Sequence, residues 1–97
     1  MNPKQKYLKE TRNFNGGIQK IYEFPNGYGA SVVKHKGSYG YLNGLWELAV
    51  LDVDGSLCYT TEITDDVIGH LNDPEVDAIL RRIKQLWKIK QNVQWVR

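Results

Sequence analysis

The chain has 97 residues, ordinary apolar and charged fractions and a net charge of +2, which describes one modest globular domain rather than a disordered or fibrous chain. A lone cysteine, Cys58, excludes an internal disulfide framework and fits a reducing compartment. No run reaches the ~18 apolar residues of a membrane span, and the start, MNPKQKYLKETR, lacks the apolar core of a signal peptide, so the expected setting is the cytoplasm with no membrane partner.

Residues 1–16 carry Lys4, Lys6, Lys9 and Arg12 with few apolar positions, and end in Asn15-Gly16. They read as a basic N-terminal arm, and residues 17–97 as a single α+β domain. Gly17 to Phe24 and Tyr28 to His35 read as two strands around a Pro25-Asn26-Gly27 turn, where proline presets φ and Asn-Gly accepts positive φ. Lys36 to Gly44, KGSYGYLNG, is the widest connection.

Leu45 to Thr60, LWELAVLDVDGSLCYT, holds the most apolar run. It reads as a hairpin with a two-residue type I′ turn at Asp54-Gly55. Along its first arm Trp46, Leu48 and Val50 share one face, and Leu45, Glu47, Ala49 and Leu51 the other. Both faces are largely apolar, which suits a central strand. Thr64, followed by Asp65 and Asp66, looks like the N-cap of a short helix ended by Gly69 or Asn72. Asp73-Pro74-Glu75 opens a second helix, with Val76, Ile79, Leu80, Ile83, Leu86 and Trp87 on one stripe. Lys90 would interrupt that stripe, so this long helix is expected to end near Lys88.

The expected fold is therefore α+β: a four-stranded antiparallel β-meander followed by a short helix and a long amphipathic helix packed on one sheet face. Trp46, Leu48, Val50, Ile79, Ile83 and Trp87 should meet in its core. One helix covers one face, so the other needs a terminus or a second subunit, and a homodimer is expected.

The strings NGYGASVV, GLWELAVL, the Asp-Gly turn, CYTTEITDDVIGHL and EVDAILRRIKQL together resemble small proteins of unknown function that bacteriophages and prophages carry. The resemblance spans roughly residues 17 to 86. It implies the fold and a phage origin, with a host-cell cytoplasmic setting. It carries over no functional residue, because its motifs are turns, strands and caps.

Chemistry-bearing patterns fail on spacing. The glycines of HKGSYGYLNG are not those of a phosphate loop and lead into a strand. Asp52-Val53-Asp54-Gly55 has its glycine too early for a calcium loop. Asp66 and His70 stand i, i+4 on the expected short helix near Glu62, but no third ligand is placed beside them. Cys58 has no neighbouring base, and Ser31 lacks the second glycine of a nucleophile elbow. No enzyme, cofactor or metal is therefore expected.

Two binding surfaces remain. The Tyr/Ser/Gly/Asn loop offers Tyr39, Tyr41 and Leu42 as contacts for a host or phage protein, since tyrosine gives large contact area at low entropy cost; the bland alternative is a flexible connection. Arg81, Arg82, Lys84, Lys88 and Lys90 make a basic helix face that suits nucleic acid; the bland alternative is an Asp77–Arg81 pair and dipole-favoured bases. The segment 37–80 holds nine acids and no lysine or arginine, whereas 81–97 holds six bases and no acid, so the basic ends are equally suited to pair with the acidic middle. The expected function is that of a small non-enzymatic phage accessory protein acting by protein–protein contact or self-association, with nucleic-acid binding second.

Overall fold

Asn15 and Gly16 both take left-handed backbone, φ 48° and 78°, the pair of positive angles that a two-residue type I′ turn requires. In the computed structural model, which describes residues 6–58 and 67–86, this turn closes a hairpin between β1 (Leu8–Phe14) and β2 (Gly17–Glu23). Seven residues of the expected basic arm thus form an edge strand. Lys9 to Asn13 are all exposed, so β1 has no apolar alternation to announce it.

The chain continues through β3 (Gly29–Lys34), a 3-10 turn (Tyr41–Asn43), β4 (Trp46–Leu51), β5 (Ile68–Leu71) and the helix α1 (Asp73–Lys84). The strands form one sheet in sequence order, antiparallel throughout. This corrects the expected fold. Among the described residues there are five strands rather than four, and the helix spans 12 residues rather than running to Lys88.

The turns explain part of the difference. Phe24 donates its N–H to Tyr28 O (2.8 Å) and Gly27 donates to Phe24 O (3.0 Å), with Gly27 at φ 96°. Asp52 to Ser56 repeats the geometry, Asp52 N–H to Ser56 O at 2.8 Å and Gly55 N–H to Asp52 O at 2.9 Å. Each is a three-residue loop, so Asp54-Gly55 is not the expected two-residue turn. The Asp52 carboxylate selects the longer form by accepting the N–H groups of Asp54 and Ser56 at 2.9 and 3.1 Å, an Asx turn.

After this loop the chain returns beside the end of β4, where Leu51 bridges Leu57 and Cys58 N–H donates to Val50 O at 2.7 Å. The rest of the expected arm, to Thr60, lies outside the described residues, as do Thr64, Asp65 and Asp66. The first half of β4 pairs instead with β5, Trp46 opposite Leu71 and Leu48 opposite Ile68. A buried central strand must satisfy its amides along its whole length, and β5 supplies that partner. Ile68–Leu71, expected as helix, is therefore strand.

Asn72 rather than Asp73 caps α1. Its side chain accepts Glu75 N–H and its own N–H donates to the Glu75 carboxylate, both at 2.8 Å, a capping box. Pro74 follows in the first turn, where its missing N–H removes no bond. At the other end the buried Asn26 carboxamide donates to the carbonyls of Ile83, Lys84 and Leu86 at 2.8, 3.1 and 3.1 Å. Ile83 O and Lys84 O are the acceptors a further turn would use, so the helix stops on a contact from the β2–β3 loop.

The helix takes the Trp46/Leu48/Val50 face of β4. Leu48, Val50, Val76, Leu80 and Ile83 form the core with Tyr22, Phe24, Ala30, Val32 and Leu71, while Trp46 and Ile79 pack half-buried against it. Trp87 lies outside the described residues. On the opposite face Val33, Ala49 and Leu51 are buried as well.

Within the core Tyr22 is 1% exposed, and burial, assisted by the Asp77 carboxylate, pushes its phenol up to about 12. An unfolded chain releases this proton at about pH 10, whereas the folded one holds it. The contribution is fully present below pH 10 and is lost as pH rises towards 12. Thermal melts should show wild type losing more stability than Tyr22→Phe across that window; parallel curves would place the phenol in water. Asn26→Ala should lower stability by about 1–3 kcal/mol in chemical denaturation, because it strips a buried donor from the helix end.

Candidate interaction loop

His35 to Leu45 is built from its own hydrogen bonds. Ser38, itself buried, accepts His35 N–H at 3.0 Å and donates its hydroxyl to His35 O at 2.8 Å. Tyr41 N–H donates to Ser38 O, Asn43 and Leu45 N–H both donate to Gly40 O, and Gly44 N–H donates to Tyr41 O, all within 2.9–3.2 Å. The segment is therefore a loop closed by its own hydrogen bonds.

Gly40 is the joint that seats it. Its φ is 92°, and a Cβ there would lie 2.9 Å from His70 Cα and 3.0 Å from Leu45 Cβ, so both conformation and space require glycine. The loop is clamped from two sides. Tyr39 N–H donates to the Glu47 carboxylate at 2.8 Å, and the Tyr39 ring stacks on His70 with centroids 6.4 Å apart and 20° between planes. His70 holds a left-handed φ of 58°, which lets β5 meet the loop at the cost of local strain. His70 is on a strand rather than on the expected short helix, and Asp66, read from the sequence as its i, i+4 partner, lies outside the described residues. Among the described residues no three His, Cys, Asp or Glu side chains come together as a metal-binding group.

The loop holds its three anticipated contact residues differently. Leu42, within the 3-10 turn, is 95% exposed, Tyr39 is 61% exposed, and Tyr41 is half-buried. A fully exposed leucine on an ordered turn is the most conspicuous apolar group in the described surface.

The basic helix face is dispersed. Arg81, Arg82 and Lys84 are exposed in the last turn of α1. Arg81 is spent on Asp77, 3.2 Å away, and Lys84 lies over the Tyr7 ring at 5.7 Å. Lys88 and Lys90 lie outside the described residues. Lys9 pairs with Glu23 and Arg12 with Glu10, so these bases do not reach the acidic middle, whereas Arg81 does through Asp77. One grouping escaped the sequence reading. Lys34 and Lys20 lie over the Trp46 ring at 4.2 and 5.1 Å, while its indole N–H donates to the Asp73 carboxylate at 2.8 Å. Only strand register brings Lys20, Lys34 and Trp46 to one spot, and register is what a single sequence hides.

Cys58 is half-buried against the core. A small open depression of about 60 Å³ lies between Lys9, Ile21, Glu23, Gly29, Leu51 and Val53, and it gathers no nucleophile and base. Among the described residues no helix is long and apolar enough to cross a membrane.

Comparison with protein-family models, with curated proteins and with solved structures found no match.

Gly40→Ala should cost about 1–3 kcal/mol through the forced positive φ. Hydrogen exchange at the Asn43 and Leu45 amides, both donors to Gly40 O, would show the loop loosening ahead of the sheet.

Proposed function

We propose that the chain is a small non-enzymatic accessory protein of the kind phages and prophages carry, and that it acts by presenting the 38–44 loop to a host or phage protein. The observation that carries this reading is Leu42, 95% exposed on a turn whose neighbours are locked by five backbone hydrogen bonds. Apolar side chains held out on ordered backbone lose little entropy on binding, and preorganisation of this kind raises affinity without added area. Tyr39, stacked and half-solvated beside it, supplies the aromatic contact typical of interface anchors. The resemblance to phage proteins supports the setting and names no partner.

The second reading is nucleic-acid binding through Arg81, Arg82, Lys84, Lys88 and Lys90. What supports it is that Arg82 and Lys84 form no ion pair among the described residues. With Arg81 engaged by Asp77, two described cations make a small electrostatic footprint, and such binding would fade as salt rises.

Immobilised wild type and Leu42→Asp, each incubated with bacterial lysate with and without nuclease, separate the two. Leu42 is in solvent, so the substitution should change stability by less than about 0.5 kcal/mol. Proteins retained by wild type and lost with Leu42→Asp support the loop. Material lost on nuclease treatment, and lost again in Arg82→Glu with Lys84→Glu, would move the assignment to nucleic acid.

A further inference from the structure

We propose that two copies of this chain associate edge to edge through β1, joining their sheets across a two-fold axis at Thr11. Among the described residues β1 ends the strand order, and Lys9 to Asn13 are all exposed. An exposed edge strand is a template for another strand. Whether it accepts one depends on which amides face outward and which side chains would then be opposed.

The turn sets the phase. A type I′ turn at Asn15-Gly16 is closed by Phe14 and Gly17 as a hydrogen-bonded pair. Such pairs alternate along antiparallel strands, so Arg12 and Gln19 are also hydrogen-bonded, whereas Asn13 and Thr11 direct their N–H and C=O groups away from β2. Thr11 can therefore sit opposite the partner subunit's Thr11 and exchange two backbone hydrogen bonds with it.

That register pairs opposite charges twice. With the axis at Thr11, Glu10 lies opposite the partner subunit's Arg12, and Arg12 opposite the partner subunit's Glu10. These are positions without backbone bonds between them, where facing side chains approach most closely. The groups are already set for it. The Arg12 guanidinium lies 3.7 Å from its own Glu10 carboxylate and is steered by an Nε–H bond to Gln19 Oε1 at 2.8 Å. Asn13 then faces Lys9, with no like charges opposed. Moving the axis to Glu10 or Arg12 would put each of those charges against its own copy.

The strand also limits the association. Register shifts between Leu8 and Glu10, and a bulge and a lysine at an edge both shorten the available pairing. A concentration-dependent dimer with a small interface is expected. The loop bearing Leu42 packs on β5, at the other edge of the sheet. The dimer would therefore carry its two loops at far ends, suited to a target with two sites.

Sedimentation of the purified full chain over a concentration series tests this with no partner protein present, so its result is independent of what the loop binds. Wild type should dimerise. E10R or R12E alone opposes like charges twice and should raise the dissociation constant about tenfold or more. The double swap, E10R with R12E, should restore it to within about threefold of wild type. T11P, which removes an outward N–H, should abolish it. A strict monomer at about 0.5 mM, or a dimer indifferent to the reversals and their recombination, would overturn the proposal.

Discussion

Three hydrogen bonds from one buried carboxamide tie the two layers of this protein together. Asn26 sits at the centre of the β2–β3 loop, accepts Tyr28 N–H through Oδ1 at 3.0 Å and donates through Nδ2 to the last carbonyls of α1. One side chain therefore fixes the loop and the helix end at once. Helix C-termini leave carbonyls without partners, and burying them bare would oppose packing. By meeting them, Asn26 lets Ile83, at 0% exposure, join the core that holds Tyr22 and Val50.

The other end of the helix is fastened through Trp46. Its indole N–H reaches Asp73 in the first turn, and Lys20 and Lys34 lie over its ring. The helix is thus held to the sheet by a polar contact at each end and by Val76, Leu80 and Ile83 between them. The Asp77 carboxylate beneath this span bonds Arg81 through one oxygen and leaves Oδ1 buried without a partner. The negative charge of Asp77 opposes ionisation of the Tyr22 phenol, in the same direction as burial, the larger cause.

Hydrogen bonds order both edges of the sheet. At the β4–β5 edge, Gly40, Tyr39 and Glu47 convert a glycine-rich connection into a fixed projection carrying Leu42. At the β1 edge, a two-residue turn sets which amides point outward, and Glu10 and Arg12 alternate in charge around Thr11. Neither arrangement gathers a nucleophile, base and bound cation among the described residues.

The amino-acid sequence by itself determined the local elements whose causes are local. The strands from Gly17 to Glu23 and Gly29 to Lys34 follow from β-type runs around Pro25-Asn26-Gly27. The Trp46/Leu48/Val50 alternation follows from the period of a strand, and the start of α1, to within one residue, from the Asp73-Pro74-Glu75 signal. The exposure of Leu42 and the Asp77–Arg81 pair were legible for the same reason. Tertiary structure alone decided the rest. β1 is polar because an edge strand buries little, so no pattern marks it. Ile68–Leu71 became a strand because β4 needed a partner, against the cap signal upstream. The helix end was set by Asn26, 57 residues away from Ile83. The joining of Tyr39 to His70, and of Lys20 and Lys34 to Trp46, depends on register and loop closure. Those are properties of pairs of segments, which no single stretch of sequence contains.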